Sequence, residues 1–276
     1  MTSAWTRRSS PELEMGRPKR RRLGQNFLVD RNVAQRIVAL LENQPARVLE
    51  IGPGRGALTE LLGERFGRVL ALELDPGLAH ELDRRFRGSS VTVAHADALH
   101  DAFEPLLAGE GPWQVASNLP YSVGTAILRR LLPRHDLFTG LVVMLQREVA
   151  ERVVAEPGDR NHGLLALERA AWAEAHIAFQ VGPGAFRPRP KVVSSVIMLQ
   201  LHPPVSDPAA LEGGLRLASH ALNHSRKMLA NALRPLCDAD RIIAAGLDPQ
   251  ARPATIDLAG WIRLAAVAEC RVKIED

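Results

Sequence analysis

Arg47-Val48-Leu49-Glu50-Ile51-Gly52-Pro53-Gly54-Arg55-Gly56 joins a short apolar run to a glycine-rich turn, and a helix-length segment follows from Ala57. Residues Arg47 to Ile51 read as a strand, and glycines after it let the backbone turn sharply and approach a ligand. A strand running through such a turn into a helix is the ligand-binding crevice of doubly wound α/β sheets. Gly52, Gly54 and Ala57 also satisfy the dinucleotide pattern G-x-G-x-x-A, with Glu73 about 20 residues on, so a dehydrogenase competes at this point.

The same alternation continues outward. Further strands are expected at Arg68 to Glu73, Val91 to His95, Trp113 to Ser117, Leu141 to Leu145, Ile177 to Val181 and Ser195 to Leu201. Helix-length segments separate the first five strands, which implies right-handed crossovers and a mostly parallel sheet. Only the glycine- and proline-rich stretch 182–191 separates the last two, so that pair is expected to be antiparallel. Before the sheet, Val33, Ile37, Leu40 and Leu41 fall at helical spacing; after His202-Pro203-Pro204 the chain reads as helices only, ending in an amphipathic stretch from Leu258 to Val272. The expected organisation is a basic tail over 1–22, an α/β domain over 23–202 and a small all-helical domain over 203–276.

Composition excludes several classes. Of the 276 residues, 46% are hydrophobic, enough for a sizeable core. Cys237 and Cys270 are far apart with no histidine at ligand spacing, which argues against a disulfide framework or a zinc site; no metal is expected and a reducing cytoplasm is the natural setting. No apolar run approaches the roughly 20 residues that span a bilayer, and no apolar core follows the basic N-terminus, so neither membrane insertion nor secretion is expected. Residues 1–22 carry seven basic and two acidic groups, leaving 28 basic against 29 acidic in the remainder. Such a tail is either a solvated leader or a phosphate contact.

At the end of the fourth strand stands Asn118-Leu119-Pro120-Tyr121. These residue types suit methylation of the exocyclic amine of adenine, whose lone pair is delocalised into the ring. The Asn118 amide oxygen and the Leu119 carbonyl can accept the two amine hydrogens and favour a tetrahedral nitrogen, an interaction concentrated in the transition state. Pro120 fixes the local backbone, and Tyr121 offers a face for stacking. An isolated N-x-P-Y is more often an ordinary strand-to-loop turn. Three features favour S-adenosylmethionine over a dinucleotide: the third glycine with Glu50 ahead of the run, Glu73 as acceptor for a ribose diol, and Asp97 as acceptor for an adenine amine. The alternative for Asp97 is a helix N-cap, a common role for such residues, but its place in series with Glu73 and the glycine loop favours the cofactor.

Together these residues resemble the ribosomal RNA adenine N6,N6-dimethyltransferase family, from about Gly24 to the C-terminus. The resemblance implies a class I methyltransferase fold, Rossmann-like and seven-stranded, with an antiparallel last strand and a helical C-terminal domain. Gly24-Gln25-Asn26-Phe27-Leu28 resembles the family's N-terminal cofactor motif, implying that Asn26 and Leu28, with Gly52, Gly54, Glu73, Asp97 and Asn118, bind S-adenosylmethionine. Phe186-Arg187-Pro188-Arg189-Pro190-Lys191-Val192-Val193-Ser194 resembles its F-x-P-x-P-K-V-x-S loop, implying that Phe186 faces Tyr121 across the target base; without the resemblance Phe186 reads more often as a loop anchor in the core.

Met144 to Arg152 and the stretch with Asn223, Arg226 and Lys227 resemble the small-subunit branch, as do Ala245 to Pro249 and Arg252 to Ile256. The implied substrate is two adjacent adenosines in the 3′-terminal hairpin of small-subunit ribosomal RNA, within an immature 30S subunit, and the enzyme is expected to be a cytoplasmic monomer. The chain departs from the family's N-L-P-Y-N-I-S at Ser122-Val123-Gly124 and from its F-N-x-R-R-K at Leu222-Asn223-His224-Ser225. Residues 203–276 hold nine basic and nine acidic groups, so RNA contacts depend on placement. Arg187, Arg189, Lys191, Arg226 and Lys227 are the candidates, with Arg147 and Arg152 behind them. Two rivals stand beside this reading: a large-subunit resistance methylase, and a ribosome-assembly or transcription factor that has lost catalysis.

Overall fold

The structure, a computed structural model, describes residues 26–107, 109, 111–234 and 236–267. The expected basic tail, Gly24, Gln25, Cys270 and residues 268–272 of the expected amphipathic stretch lie outside these residues.

The described chain begins with strand β1 (Phe27–Leu28) and helix α1 (Arg31–Ala39). It continues through β2 (Arg47–Ile51), α2 (Ala57–Arg65), β3 (Arg68–Glu73), α3 (Pro76–Phe86), β4 (Val91–His95), α4 (Phe103–Leu106), β5 (Trp113–Asn118) and α5 (Gly124–Leu131). Then come β6 (Phe138–Gln146), α6 (Arg147–Val154), α7 (Leu164–Ala170), β7 (Ala173–Val181), β8 (Phe186–Arg187) and β9 (Ser194–Leu201). Helices α8 (Pro208–Leu222), α9 (Leu229–Leu233), α10 (Ala239–Ala244) and α11 (Leu258–Val267) follow.

Seven strands form one sheet in the order β4-β3-β2-β5-β6-β9-β7. The five strands from β4 to β6 are mutually parallel, and β9 runs antiparallel to both of its neighbours. This is the class I methyltransferase arrangement expected from the sequence. Strand alternation sorts the apolar residues onto two faces. Leu49, Ile51, Leu70, Leu72, Val115, Leu141, Val143, Ile197 and Leu199 pack on the side covered by α5 and α6; Val48, Val69, Ala116, Val142, Met144 and Val196 pack on the side covered by α1 and α2. Both faces are therefore dry, which is why these strands read as continuous apolar runs. Each fully buried leucine contributes roughly 1.5–3 kcal/mol. Helix starts are set by acidic caps: Asp30 accepts from Asn32 N and Val33 N, and Asp75 from Gly77 N and Leu78 N just before Pro76.

The C-terminal helices form a third apolar cluster around Trp261, Leu217, Leu229 and Leu233. Leu167 and Ala171 belong to the same cluster, so α7 of the α/β region shares the helical core. A second small sheet, β1 with β8, pairs Phe27 with Arg187 and Leu28 with Phe186.

Candidate functional site: a cleft at the strand ends

The chain order reverses between β2 and β5, adjacent strands whose following connections leave in opposite directions, so a crevice opens beyond their C-terminal ends. A cleft lies there, lined by β1, the glycine loop, the ends of β3 and β4 and the turn after β5. Asn26, Leu28, Gly52, Gly54, Glu73, Asp97, Asn118, Leu119, Pro120 and Tyr121 all line it, so the structure brings together every sequence-predicted site residue of the cleft.

The glycine loop is held from several sides. Gly54 sits at φ +58°, and a Cβ there would stand 2.8 Å from Phe27 Cδ1, so both backbone conformation and space demand glycine. Its N–H donates to Glu73 Oε2 at 3.0 Å, while Glu73 Oε1 accepts from Asp75 N at 2.9 Å. Glu73 thus pins the loop to the end of β3, and each of its oxygens retains further acceptor capacity. Ser117 Oγ donates to the Ile51 carbonyl at 2.5 Å, tying the end of β2 to the end of β5.

At the turn, Asn118 Nδ2 donates to the Asn26 carbonyl at 3.2 Å, which fixes the amide. Asn118 Oδ1 is buried and has no hydrogen-bond partner among the described residues. An amide oxygen in that state is an unspent acceptor, costly unless a ligand supplies a donor. Leu119 N donates to the Met144 carbonyl at 3.2 Å, and the Pro120 carbonyl accepts from Val123 N at 3.1 Å and Gly124 N at 2.7 Å. The turn is therefore braced on both sides. Gly124 also has a packing reason: a Cβ there would lie 3.3 Å from Leu119 Cβ and 3.0 Å from Leu145 Cδ2, pressing on the turn. Tyr121 is half-buried, and its hydroxyl is 2.6 Å from Ser194 Oγ, which orients the ring. Burial holds the Tyr121 phenol above its ordinary pKa, opposed by the Ser194 bond, so it stays neutral.

Three carboxylates face the cleft against Arg55, its one lining cation among the described residues. Burial pushes Glu50 up to about 8, with the charge of Glu73 adding to the rise and the Thr59 hydroxyl opposing it. Glu50 Oε2 has no hydrogen-bond partner among the described residues. Asp97 is held below the usual carboxylate range, first by its bond to His100 and then by the Leu99 N–H, so it is ionised. It caps the turn at Leu99 and lines the cleft as well. A pyrophosphate would meet this acidic wall unfavourably. S-adenosylmethionine brings a sulfonium and an ammonium, which favour negative charge, and a ribose diol and an adenine amine, which want acceptors, and the acceptor set fits it.

The resemblance-based expectation for Phe186 is corrected. The ring is fully buried in the cluster that holds Leu28, Ala185 and Val196, and it does not line the cleft. Pairing of β8 with β1 turns it inward, so it has no face for a base. Phe27, which sequence reading passed over, lines the cleft instead, with Arg55 over its ring at 4.9 Å. Ser194 and Glu50 were visible only as motif letters; their roles depend on a contact across 73 residues and on burial.

Of the expected RNA contacts, Arg187, Arg189, Lys191, Arg226 and Lys227 are all exposed. Arg187 folds back onto the Gly184 and Phe186 carbonyls at 3.2 and 2.8 Å, and Arg147 pairs with Glu151 at 3.6 Å. None of these seven basic residues, Arg152 included, lines the cleft. Among the described residues there is no group of acidic, histidine or cysteine side chains able to hold a metal, and no helix long and apolar enough to cross a membrane.

The model of the ribosomal RNA adenine dimethylase family matches residues 16–267. The ribosomal RNA small subunit methyltransferase A of Pseudomonas fluorescens is 40% identical over 252 residues, covering 89% of this chain and 92% of that protein. Its counterpart in Geobacter metallireducens is 39% identical over 256 residues, covering 87% and 91%. Among solved structures, the 23S ribosomal RNA methyltransferase ErmE is similar with a TM-score of 0.71 at 27% identity, covering 88% of this chain and all of that one. A dimethyladenosine transferase from Plasmodium falciparum shares the fold, with a TM-score of 0.70 at 21% identity over 86% and 95% of the two chains.

Proposed function

Because the chain belongs to the ribosomal RNA adenine dimethylase family, we propose that its cleft dimethylates two adjacent adenosines in the 3′-terminal hairpin loop of small-subunit ribosomal RNA. The chain is an S-adenosylmethionine-dependent ribosomal RNA adenine dimethyltransferase of the small-subunit type. The hairpin, the immature 30S subunit as its carrier, a monomeric enzyme and a cytoplasmic setting belong to the proposal.

The observation that carries the chemistry is the orphaned Asn118 Oδ1. When bound, S-adenosylmethionine supplies a sulfonium methyl that an amine lone pair can attack. In the first transfer Asn118 Oδ1 and the Leu119 carbonyl each accept one N6 hydrogen of the target adenine, drawing the nitrogen out of conjugation; in the second, one of them accepts the single hydrogen that remains. Asn118 is held ready by its bond to Asn26, so little reorganisation accompanies the reaction. Tyr121, anchored by Ser194, stacks on the adenine ring, and the released proton passes to water. Glu73 and Asp97 hold the ribose diol and the adenine amine of the cofactor, while Asn26 and Leu28 flank its methionine end. The target base must leave its stack at a cost of a few kcal/mol, smallest in a loop, which favours a hairpin loop as substrate. Arg187, Arg189, Lys191, Arg226 and Lys227 hold the surrounding phosphates.

The test is nucleoside mass spectrometry of both ribosomal subunits from a strain lacking the gene. Dimethyladenosine should vanish from small-subunit RNA and return on complementation. Loss confined to large-subunit RNA would transfer the assignment to the activity named for ErmE.

A further inference from the structure

The segment Asn223–Met228 joins α8 to α9, and all six of its residues are exposed. Exposed connections usually have little to fix their backbone. Here the segment is closed by turns of its own, with Lys227 N donating to the His224 carbonyl at 2.8 Å and Ser225 N to the Leu222 carbonyl at 3.2 Å, and one stretch, 249–255, ties it and the start of α9 to the rest of the molecule. The Ala251 carbonyl accepts from Leu229 N at 2.8 Å and the Pro249 carbonyl from Ala230 N at 3.0 Å. The Arg252 guanidinium donates to the Arg226 carbonyl. The stretch is itself closed by Thr255, whose N–H and hydroxyl both donate to the Arg252 carbonyl, at 2.9 and 2.8 Å, around a buried Pro253.

Its other end is docked on the α/β region. The Ala254 carbonyl accepts twice, from Gly158 N at 3.0 Å and from His162 Nδ1 at 2.8 Å. His162 is 7% exposed and lies in the connection between α6 and α7, helices that pack beside the sheet. A single strap therefore runs from the catalytic layer to the exposed basic segment. Two double-acceptor carbonyls and one guanidinium define it.

We propose that Arg252 and His162 are positioning residues for RNA: the strap sets where Arg226 and Lys227 stand relative to the Asn118 turn. His162 anchors the catalytic end, and Arg252 grips the RNA-facing end. Neither lines the cleft. The proposal rests on reading 223–228 as a phosphate-contacting segment. Its rival is that Arg252, an exposed cation with donors to spare, touches phosphate directly. Buried His162 cannot do so, which makes it the discriminating residue.

The experiment is steady-state methyl transfer to unmethylated small subunits by wild type, Arg226→Ala, Lys227→Ala, Arg252→Ala, His162→Ala and His162→Asn, and by the pairs of each strap variant with Lys227→Ala. Thermal unfolding and titration with S-adenosylhomocysteine accompany each protein. Arg252→Ala and His162→Ala should each raise KM for the subunit about five- to tenfold, as expected for losing a hydrogen bond from a charged or buried donor, with kcat and cofactor-product affinity within about twofold. His162→Asn, which keeps an N–H donor, should recover part of the loss. Each pair should lose less than the product of its singles, because a misplaced Lys227 has less left to lose.

Multiplicative effects of Arg252→Ala and Lys227→Ala, with His162→Ala silent, overturn the strap in favour of direct contact. Silent Arg252→Ala and His162→Ala beside an effective Lys227→Ala overturn it outright. If Lys227→Ala and Arg226→Ala are both silent, the phosphate reading of the segment falls, and the strap falls with it. Should His162→Ala unfold, His162→Asn and the Arg252–Lys227 cycle decide.

Discussion

The cofactor cleft and the exposed segment at 223–228 are built on opposite principles. The cleft is made of backbone and buried polar groups at strand ends: Asn118, Glu50 and Glu73 are enclosed, and each has a specified partner or a specified lack of one. The segment offers exposed cations on a backbone closed by its own turns and tied to the rest of the molecule by its strap. Buried groups act in low dielectric and answer strongly to single changes. Exposed charges are screened, and their contributions are small and salt-dependent. Catalysis should therefore collapse under one substitution in the cleft, whereas RNA binding should erode by steps.

The largest contrast is expected at Asn118. Asn118→Ala removes the unpartnered acceptor proposed for the reacting amine, and single-turnover methyl transfer should fall about 10²–10³-fold, the scale of losing one preorganised hydrogen-bonding group. Affinity for RNA in filter-binding assays should stay within about threefold. An equal loss in rate and RNA affinity would erase the distinction between the two regions.

Gly54→Ala comes next. Strain at φ +58° and the approach of Phe27 should together weaken S-adenosylhomocysteine binding by about tenfold or more, equivalent to ~1.4 kcal/mol, by calorimetric titration. RNA affinity should not follow.

Glu50 provides a pH signature of the buried region. Its folded-state pKa of about 8 lies above the ordinary 4.5, so the native state holds a proton that the unfolded chain releases. That contribution is complete below the unfolded value and is lost as pH rises through the folded one. Unfolding free energy of the cofactor-free protein should decline between about pH 5 and pH 9, by on the order of a few kcal/mol. Glu50→Gln should flatten the decline in urea titrations across that window; a wild-type curve already flat there would refute the buried-proton assignment.

A smaller effect is expected at Tyr121→Phe, which removes the bond to Ser194: about 1 kcal/mol in thermal unfolding, with stacking retained. Smallest at physiological salt is Arg226→Ala, which should lower the salt slope of RNA binding by about one and leave single-turnover rates at saturating RNA unchanged.

The contrast between the regions also explains what could be read from the sequence. The strands β2 and β3 begin and end at the expected residues because parallel strands buried on both faces read as apolar runs, and the edge strand β4 does so because Val91-Thr92-Val93 is rich in β-branched residues. The start of β7 was set four residues late, at Ile177 rather than Ala173, because Ala173-Glu174-Ala175-His176 at the sheet edge has neither β-branched residues nor full burial. The pairing of β1 with β8 left no trace, since two-residue strands have no periodicity and their partners stand about 160 residues apart in sequence. The expectation that Phe186 faces a base came from the resemblance of its loop alone, and the buried ring matches the core anchor that the residues by themselves favour. At the site, the glycine loop and the turn were legible because backbone geometry restricts which residues can stand there, as at Gly54 and Pro120. The strap was not, because it consists of carbonyls accepting hydrogen bonds, and any residue has a carbonyl.

The most direct test of the central claim is transfer of labelled methyl from S-adenosylmethionine to unmethylated small subunits, followed by mapping of the labelled nucleotides. The expected result is N6,N6-dimethyladenosine at two adjacent positions in the 3′-terminal hairpin loop, absent with Asn118→Ala. Label confined to large-subunit RNA offered in parallel, or label in the small subunit that survives Asn118→Ala, would contradict it.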